Sequence, residues 1–358
     1  MAAATQERAE RARRGLARWC GQVETAHELL EGVARRLRPL LDYDSAAWLA
    51  TDPATVLFTD GFVEGFPPEF CAPWYYHELR VPDVTPFTEL ARARRPVTIL
   101  SEAVAGELAN SRRWRELLAP ASLGHELRAA FRSGGACWGV ATIHRRSTDG
   151  DFSRAEADLL ASLAGVIGDG LRRTALRQQA LADEPEGPGL LLVGPDRAVR
   201  PVTQAGARWL DVLGVPMNGA RHTVLLTLGE LVAGGAGRAR RVRLRTRDGR
   251  WATLHAEAMS DERDTYAVIV EPSRPADIAA VAALAYGLSA RESELVLALA
   301  RGDSTVQLAE RLYISPHTVR DHLKSIFDKT GVSSRNELVA RLFHDHYTDR
   351  FFSQAVVS

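Results

Sequence analysis

Between Ser315 and Lys329 the sequence SPHTVRDHLKSIFDK sets cations, hydroxyls and an apolar stripe at helical spacing. At about 100° per residue, Val319, Leu323, Ile326 and Phe327 fall on one face and His317, Arg320, Asp321, Lys324 and Asp328 on the other. A short helix with an apolar back and a donor-rich front can enter the major groove of DNA, where base edges present distinct acceptor patterns. The chain is rich in arginine, yet its only two lysines, Lys324 and Lys329, both lie here. The competing reading is a helical hairpin with a solvated face, which charge runs usually form.

The elements around this stretch carry explicit start and stop signals. Ser289 with Glu292, Ser304 with Gln307 and Ser334 with Glu337 have capping-box spacing. Ser315-Pro316 reads as an N-cap followed by proline at the first helical position, and Gly302 and Gly331 stand where helices end. The spacing predicts helices over 290–301, 304–312, 316–330 and 334–344. Only Tyr313, Ile314 and Ser315 join the second to the third, the length of a helix-turn-helix connection. The apolar stripe is expected to pack on Val306, Leu308, Ala309 and Leu312.

From Leu288 to Ala340 the chain closely resembles the LuxR-type DNA-binding domain of bacterial transcription regulators. The resemblance rests on LSARE, on the pair Leu308–Ala309 and on ISPHTVRDHLKSIFDKTGVSSRNELVA. It implies that helix 316–330 inserts into the major groove of double-stranded DNA. Arg320, Asp321 and Lys324 match the base-facing positions of the family. Ser315, Thr318 and Lys329 match positions near phosphates, and His317 is a further groove residue. Val306 stands where the family usually carries a basic residue. Region 4 of sigma factors resembles the same four helices, but no upstream polymerase-binding helices are seen.

The chain has 358 residues, enough for two or three domains, with the apolar and charged content of a globular protein. Its formal net charge is zero. Residues 286–343 hold eight Arg/Lys against seven Asp/Glu, net +1, so any attraction to DNA comes from placement rather than total charge. Cys20, Cys71 and Cys137 are far apart with no CxxC, which fits reduced thiols in a cytoplasmic protein. The start, MAAATQERAERARRG, has no apolar core, and no apolar run approaches membrane-spanning length.

Residues 1–183 read as a sensor domain. A helix is expected over 5–38, its basic cluster Arg8–Arg18 solvated. Strands follow at 46–50, 56–58, 97–100, 126–132 and 136–144, with helical pieces near 67–79, 85–94 and 110–119. Ser133-Gly134-Gly135 signals a hairpin, and Ser153 with Glu156 caps a helix running to about 181. This order is similar to that of GAF domains, and ELRAAFRSGGACWGVATIHR…DFSRAEADLLASLA looks like the GAF segments found upstream of actinobacterial LuxR-type domains. Trp48, Trp74, Tyr75, Tyr76, Trp114 and Trp138 either line a ligand pocket or form core.

Residues 184–275 read as a second, small α+β domain behind the linker ADEPEGPG. Residues 190–193 and 199–202 form one hairpin around Gly194-Pro195-Asp196. A helix carrying Ala207, Trp209 and Leu210 follows, then strands 241–247 and 251–256 joined at Asp248-Gly249, and a last strand at 266–270. The arrangement is similar to PAS domains, with no flavin cysteine or haem histidine to match. Residues 276–358 comprise a linker helix at 276–287 and the helix-turn-helix unit.

The expected architecture is therefore α+β and multidomain: a GAF-like antiparallel sheet domain, a PAS-like domain and an all-α helix-turn-helix unit. GxxxxGK[ST], GxSxG and HExxH are absent, so no enzyme, cofactor or metal site is expected. The reading is a cytoplasmic, ligand- or signal-responsive transcription regulator that binds inverted-repeat operators as a homodimer. RNA polymerase and a small molecule are its possible further partners, and no membrane is involved. The alternative is a small-molecule or protein-binding sensor whose DNA binding is secondary.

Overall fold

The computed structural model describes residues 2–176, 187–195, 198–213, 241–246, 251–259, 265–300, 302–339 and 341–342. The chain divides into two compact units, the first ending at Pro272 and the second beginning at Ser273.

The first unit opens with α1 (Ala2–Gln22) and α2 (Ala26–Leu41). The sequence suggests one helix here; the structure breaks it, because Thr25 takes extended backbone and its hydroxyl accepts from Glu28 N at 3.2 Å, an N-cap that starts a new helix. Strands β1 (Ser45–Thr51) and β2 (Phe58–Glu64) come next. The expected strand at 56–58 is displaced: Val56 has φ 62° inside the turn, and the true strand runs through Asp60-Gly61, residues that argue against a strand locally. Gly61 is required there, since a Cβ would lie 2.6 Å from Leu49 Cδ2 and 2.7 Å from the Trp48 carbonyl.

Helices α3 (Pro68–Arg80) and α4 (Phe87–Leu90), strand β3 (Val97–Ile99) and the short helix α5 (Leu100–Ala103) follow. A π-turn at Trp114–Leu118 leads into β4 (Leu123–Ser133) and β5 (Ala136–Arg146), which meet at Gly134 (φ 59°) and Gly135 (φ 80°) as the hairpin signal predicts. Helix α6 (Arg154–Leu176) starts at the Ser153–Glu156 capping pair, with Glu156 N donating to Ser153 Oγ at 3.3 Å and Ser153 N to Glu156 Oε2 at 2.8 Å. Its expected continuation to 181 lies outside the described residues.

The sheet order is β2-β1-β5-β4-β3. Helices α2 and α6 pack on the sheet and α1 packs on both of them. The opposite face holds an apolar cluster of Ala47, Leu49, Phe58, Trp74, Tyr75 and Phe87 with α3 and α4. Alternation along β1 sends Trp48 to the other face, where it stacks on Phe131 at 6.0 Å. The candidate pocket aromatics are thus divided: Trp74 packs against Phe58 and Tyr75 at 5.9 and 5.1 Å, and Tyr76 is exposed. Trp48, Trp74, Tyr75 and Trp138 are buried, and Trp74 and Tyr75 share the cluster on which Trp114 packs.

Ionic groups also lie inside this face. Arg113 bonds Glu126 at 2.7 Å and Asp83 at 3.3 Å, Arg128 bonds Glu78 at 2.5 Å, and Thr142 bridges Glu126 (3.0 Å) to His144 (2.8 Å). Burial alone would raise the Glu126 carboxyl, but Arg113 and Arg128 outweigh it and bring it to about 2. Burial lowers His144 to about 4 against the opposing pull of Glu126.

The second sheet uses β6 (Gly189–Val193), β7 (Val199–Pro201), β8 (Arg241–Arg245), β9 (Trp251–Ala258) and β10 (Tyr266–Pro272), with α7 (Gln204–Leu213) after β7. Its order, β7-β6-β10-β9-β8, repeats that of the first sheet strand for strand. Val242, Leu244, Ala252, Leu254 and Ala256 are buried as the alternation predicts. Asp196, the turn at Asp248-Gly249 and most of the 182–189 linker lie outside the described residues. The two sheets share one unit: Leu57 sits in the second core, and Arg243 Nε and one terminal nitrogen bond Asp52 Oδ2 and Oδ1 at 3.0 Å each.

The second unit begins with α8 (Pro275–Ala285), followed by α9 (Ala290–Leu299), α10 (Thr305–Leu312), α11 (Pro316–Thr330) and α12 (Arg335–Val339). Their shared core contains Leu288, Leu295, Val296, Leu308, Val319 and Ile326.

Candidate nucleic-acid interface

Helix α11 is built by its own sequence signals. Ser315 holds extended backbone (φ −73°, ψ 153°) and accepts from Thr318 N at 3.1 Å, Pro316 opens the helix, and Gly331 closes it at φ 66°. The turn before it depends on Tyr313, a non-glycine residue at φ 53° that is 94% exposed. On the inner side Val319, Leu323 and Ile326 are buried against Leu308, Ala309 and Leu312 of α10. Val306, expected in that contact, is instead 58% exposed. It lies in the first turn of α10, beyond the edge of the face that meets α11.

The outer face carries His317, Arg320, Asp321 and Lys324, all exposed as the periodicity predicts. They are not equivalent. His317 Nδ1 lies 3.0 Å from Asp321 Oδ2, so Asp321 is engaged one turn back along the helix by His317 and not by Arg320. Ser315 Oγ and Thr318 Oγ1 are 2.9 Å apart and exposed at the N-terminus, where the helix dipole and free N–H groups favour an anion.

Lys329 sits differently. Its Nζ lies 2.6 Å from Glu292 Oε2, on the first turn of α9. The Glu292 side chain is 4% exposed and also accepts from Ser325 Oγ at 2.7 Å and Ser289 N at 2.7 Å. Burial would raise this carboxyl, but the bonds from Lys329, Ser289 and Ser325 outweigh it and bring it to about 2. The capping box at Ser289 was legible in sequence; the bond from its glutamate to Lys329, 37 positions away, was not. At α12 the cap is also rearranged: Ser334 Oγ accepts from Glu337 N at 3.2 Å, while the Glu337 carboxylate takes Ser333 N at 2.6 Å.

Elsewhere, a cavity of about 330 Å³ borders β3 and is lined in part by Thr85, Leu90, Arg95, Thr98 and Glu102. Among the described residues no group of three or more His, Cys, Asp or Glu could hold a metal ion, and no helix is long and apolar enough to cross a membrane.

Residues 25–171 match the GAF domain, and residues 287–342 match the family described as bacterial regulatory proteins, luxR family. The spore germination protein GerE of Bacillus subtilis (strain 168) is 36% identical over 55 residues, which are 15% of this chain and 74% of that protein. The chain belongs to the LuxR family of bacterial regulatory proteins. This LuxR-family chain is also 53% identical over 53 residues to the probable transcriptional regulatory protein SgaR of Hyphomicrobium methylovorum. Over 62 residues it is 39% identical to the probable transcriptional regulatory protein NarL of Mycobacterium tuberculosis. Those matches take in 15% and 17% of this chain, and the chain spans only 25% and 29% of the two relatives.

Proposed function

We propose that this chain is a DNA-binding transcription regulator that reads the major groove with α11 and takes its signal through the GAF domain. The observation that carries the reading is the outer face of α11: Arg320 and Lys324 stand exposed one turn apart, on a helix whose back is locked into the core by Val319, Leu323 and Ile326. A guanidinium so placed can donate two bonds to guanine O6 and N7, and Lys324 follows along the same groove. Ser315 and Thr318 at the N-terminus suit a phosphate. Asp321 and His317 form one polar pair that can accept from a cytosine amino group through the carboxylate.

One such helix spans too few base pairs for specificity, so the functional form is a homodimer on an inverted repeat with half-sites about one helical turn apart. RNA polymerase is the natural protein partner of such a complex, and a small molecule in the GAF domain its natural signal. The work is done in the cytoplasm, without catalysis. The domain limits that go with this reading are 1–183, 184–275, PAS-like, and 276–358. Genome-wide mapping of bound DNA, followed by footprinting on the recovered sites, tests it. Two protected half-sites in inverted orientation are the expected result. The absence of enriched sites, with sensor-domain partners still bound after removal of residues 288–343, would favour a sensor whose DNA binding is secondary.

A further inference from the structure

Lys329 lies on the last turn of α11, beside the shallow groove that it lines with Asp321, Lys324, Ser325 and Asp328. A lysine there is well placed to meet a phosphate. Its ammonium is instead held at 2.6 Å by Glu292, a carboxylate whose side chain is 4% exposed. That carboxylate makes three bonds to two elements: Lys329 and Ser325 on α11, and the backbone N–H of Ser289, where α9 begins. A buried charge with a full set of donors is costly to disturb, because the partner left behind keeps its charge in a poor solvent. Ser325 and Lys329 are one turn apart on α11, so the two bonds fix both rotation and height of the helix against α9.

We propose that Glu292 is the positioning residue of the recognition helix, and that it keeps Lys329 out of phosphate contact by holding it as a structural cation. This rests on α11 being the DNA-reading helix. It divides the two lysines of the chain by role: Lys324 faces the nucleic acid and Lys329 faces Glu292. The same oxygen, Oε2, ties Ser289 to Lys329, so the start of the four-helix unit and its reading helix are joined through one atom.

The number of phosphates neutralised is read from the slope of binding against salt, which a merely structural role for Glu292 would leave unmoved. The probe is a random-sequence DNA duplex, titrated with the full chain across a salt series. Lys329→Met keeps the apolar stem and should leave the slope unchanged. Glu292→Gln keeps one acceptor oxygen for Ser289 N and turns its NH2 to the Ser325 hydroxyl, which can accept, but removes the charge that holds Lys329. It should steepen the slope by about one phosphate, and Lys329→Met added to it should restore the original value. A slope lowered by about one in Lys329→Met alone would overturn the proposal, and that arm does not depend on how well Glu292→Gln folds.

Thermal unfolding of the same four proteins gives a second readout that needs no DNA. Coupled losses from the two substitutions are expected, and additive losses would refute the clamp. If the wild-type chain bound no duplex at any salt, the DNA reading would fail and the unfolding cycle would still decide the clamp.

Discussion

Arg320 and Asp321 are adjacent in sequence and carry opposite charges. Arg320→Ala should lose discrimination at a single base pair, about 1–3 kcal/mol, while other positions of the site keep their preference. Asp321 adds no attraction to phosphates and holds His317 at 3.0 Å, so Asp321→Ala should relax specificity while affinity for random DNA holds or rises. The measurement is binding of each variant to a mapped site and to all its single-base changes. A uniform loss across the set from Arg320→Ala would remove that residue from base reading. Nothing in local periodicity separates Lys324 from Lys329, since both are cations on one helix; the separation comes from Glu292, brought to Lys329 by the packing of α9 on α11.

At the scale of an element, two features have consequences for stability. Tyr313 closes α10 at φ 53°, a conformation that costs an L-residue about 1–2 kcal/mol, and at 94% exposure its ring contributes almost no packing. Tyr313→Gly should therefore stabilise the helical unit by up to about 1 kcal/mol, read as a higher melting temperature. Within the GAF sheet, His144 is held neutral, with its pKa lowered by burial from 6.5 to about 4. A depressed value means that the unfolded chain binds the proton first as pH falls. The contribution is complete above 6.5 and is lost progressively as pH drops through about 4. Acid unfolding of the wild type and His144→Gln should converge over that window. Glu126 cannot supply the same signal, because its own window, from 4.5 to about 2, lies lower.

The whole molecule adds a long-range ion pair and a near-neutral charge balance. Asp52 and Arg243 join the first sheet to the second, with side chains 2% and 8% exposed. Asp52→Ala removes a buried carboxylate to which Arg243 donates and should destabilise the first unit by up to about 3–5 kcal/mol, read as a lower melting temperature. A loss under 1 kcal/mol would show that Arg243 finds another acceptor. With net +1 over residues 286–343 and Lys329 Nζ 2.6 Å from Glu292, DNA binding should depend only weakly on salt. A steep slope would bring in other basic groups, such as the arginines of α1.

Local signals carried far in this chain. The caps at Ser289, Ser304 and Ser315, the glycines at 134, 135 and 331 and the stripe of Val319, Leu323 and Ile326 all stand where side-chain type and spacing put them. Each is an interaction within about one turn of helix or one hairpin, so the residues that make it are neighbours in sequence as well as in space. The strand through Asp60-Gly61 and the exposed Val306 went unread because tertiary contacts overrode or ended the local preference there, whereas the break at Thr25 rests on a local cap from Thr25 to Glu28. The repeated strand order of the two sheets is likewise a matter of which edges meet, and so are Glu292 with Lys329, 37 positions apart, and Asp52 with Arg243, 191 apart. The amino-acid sequence by itself determined the helices, the hairpins and the face that looks outward. Only the tertiary structure decided which lysine is held by a buried carboxylate, because that depends on the distance between two helices that no periodicity encodes.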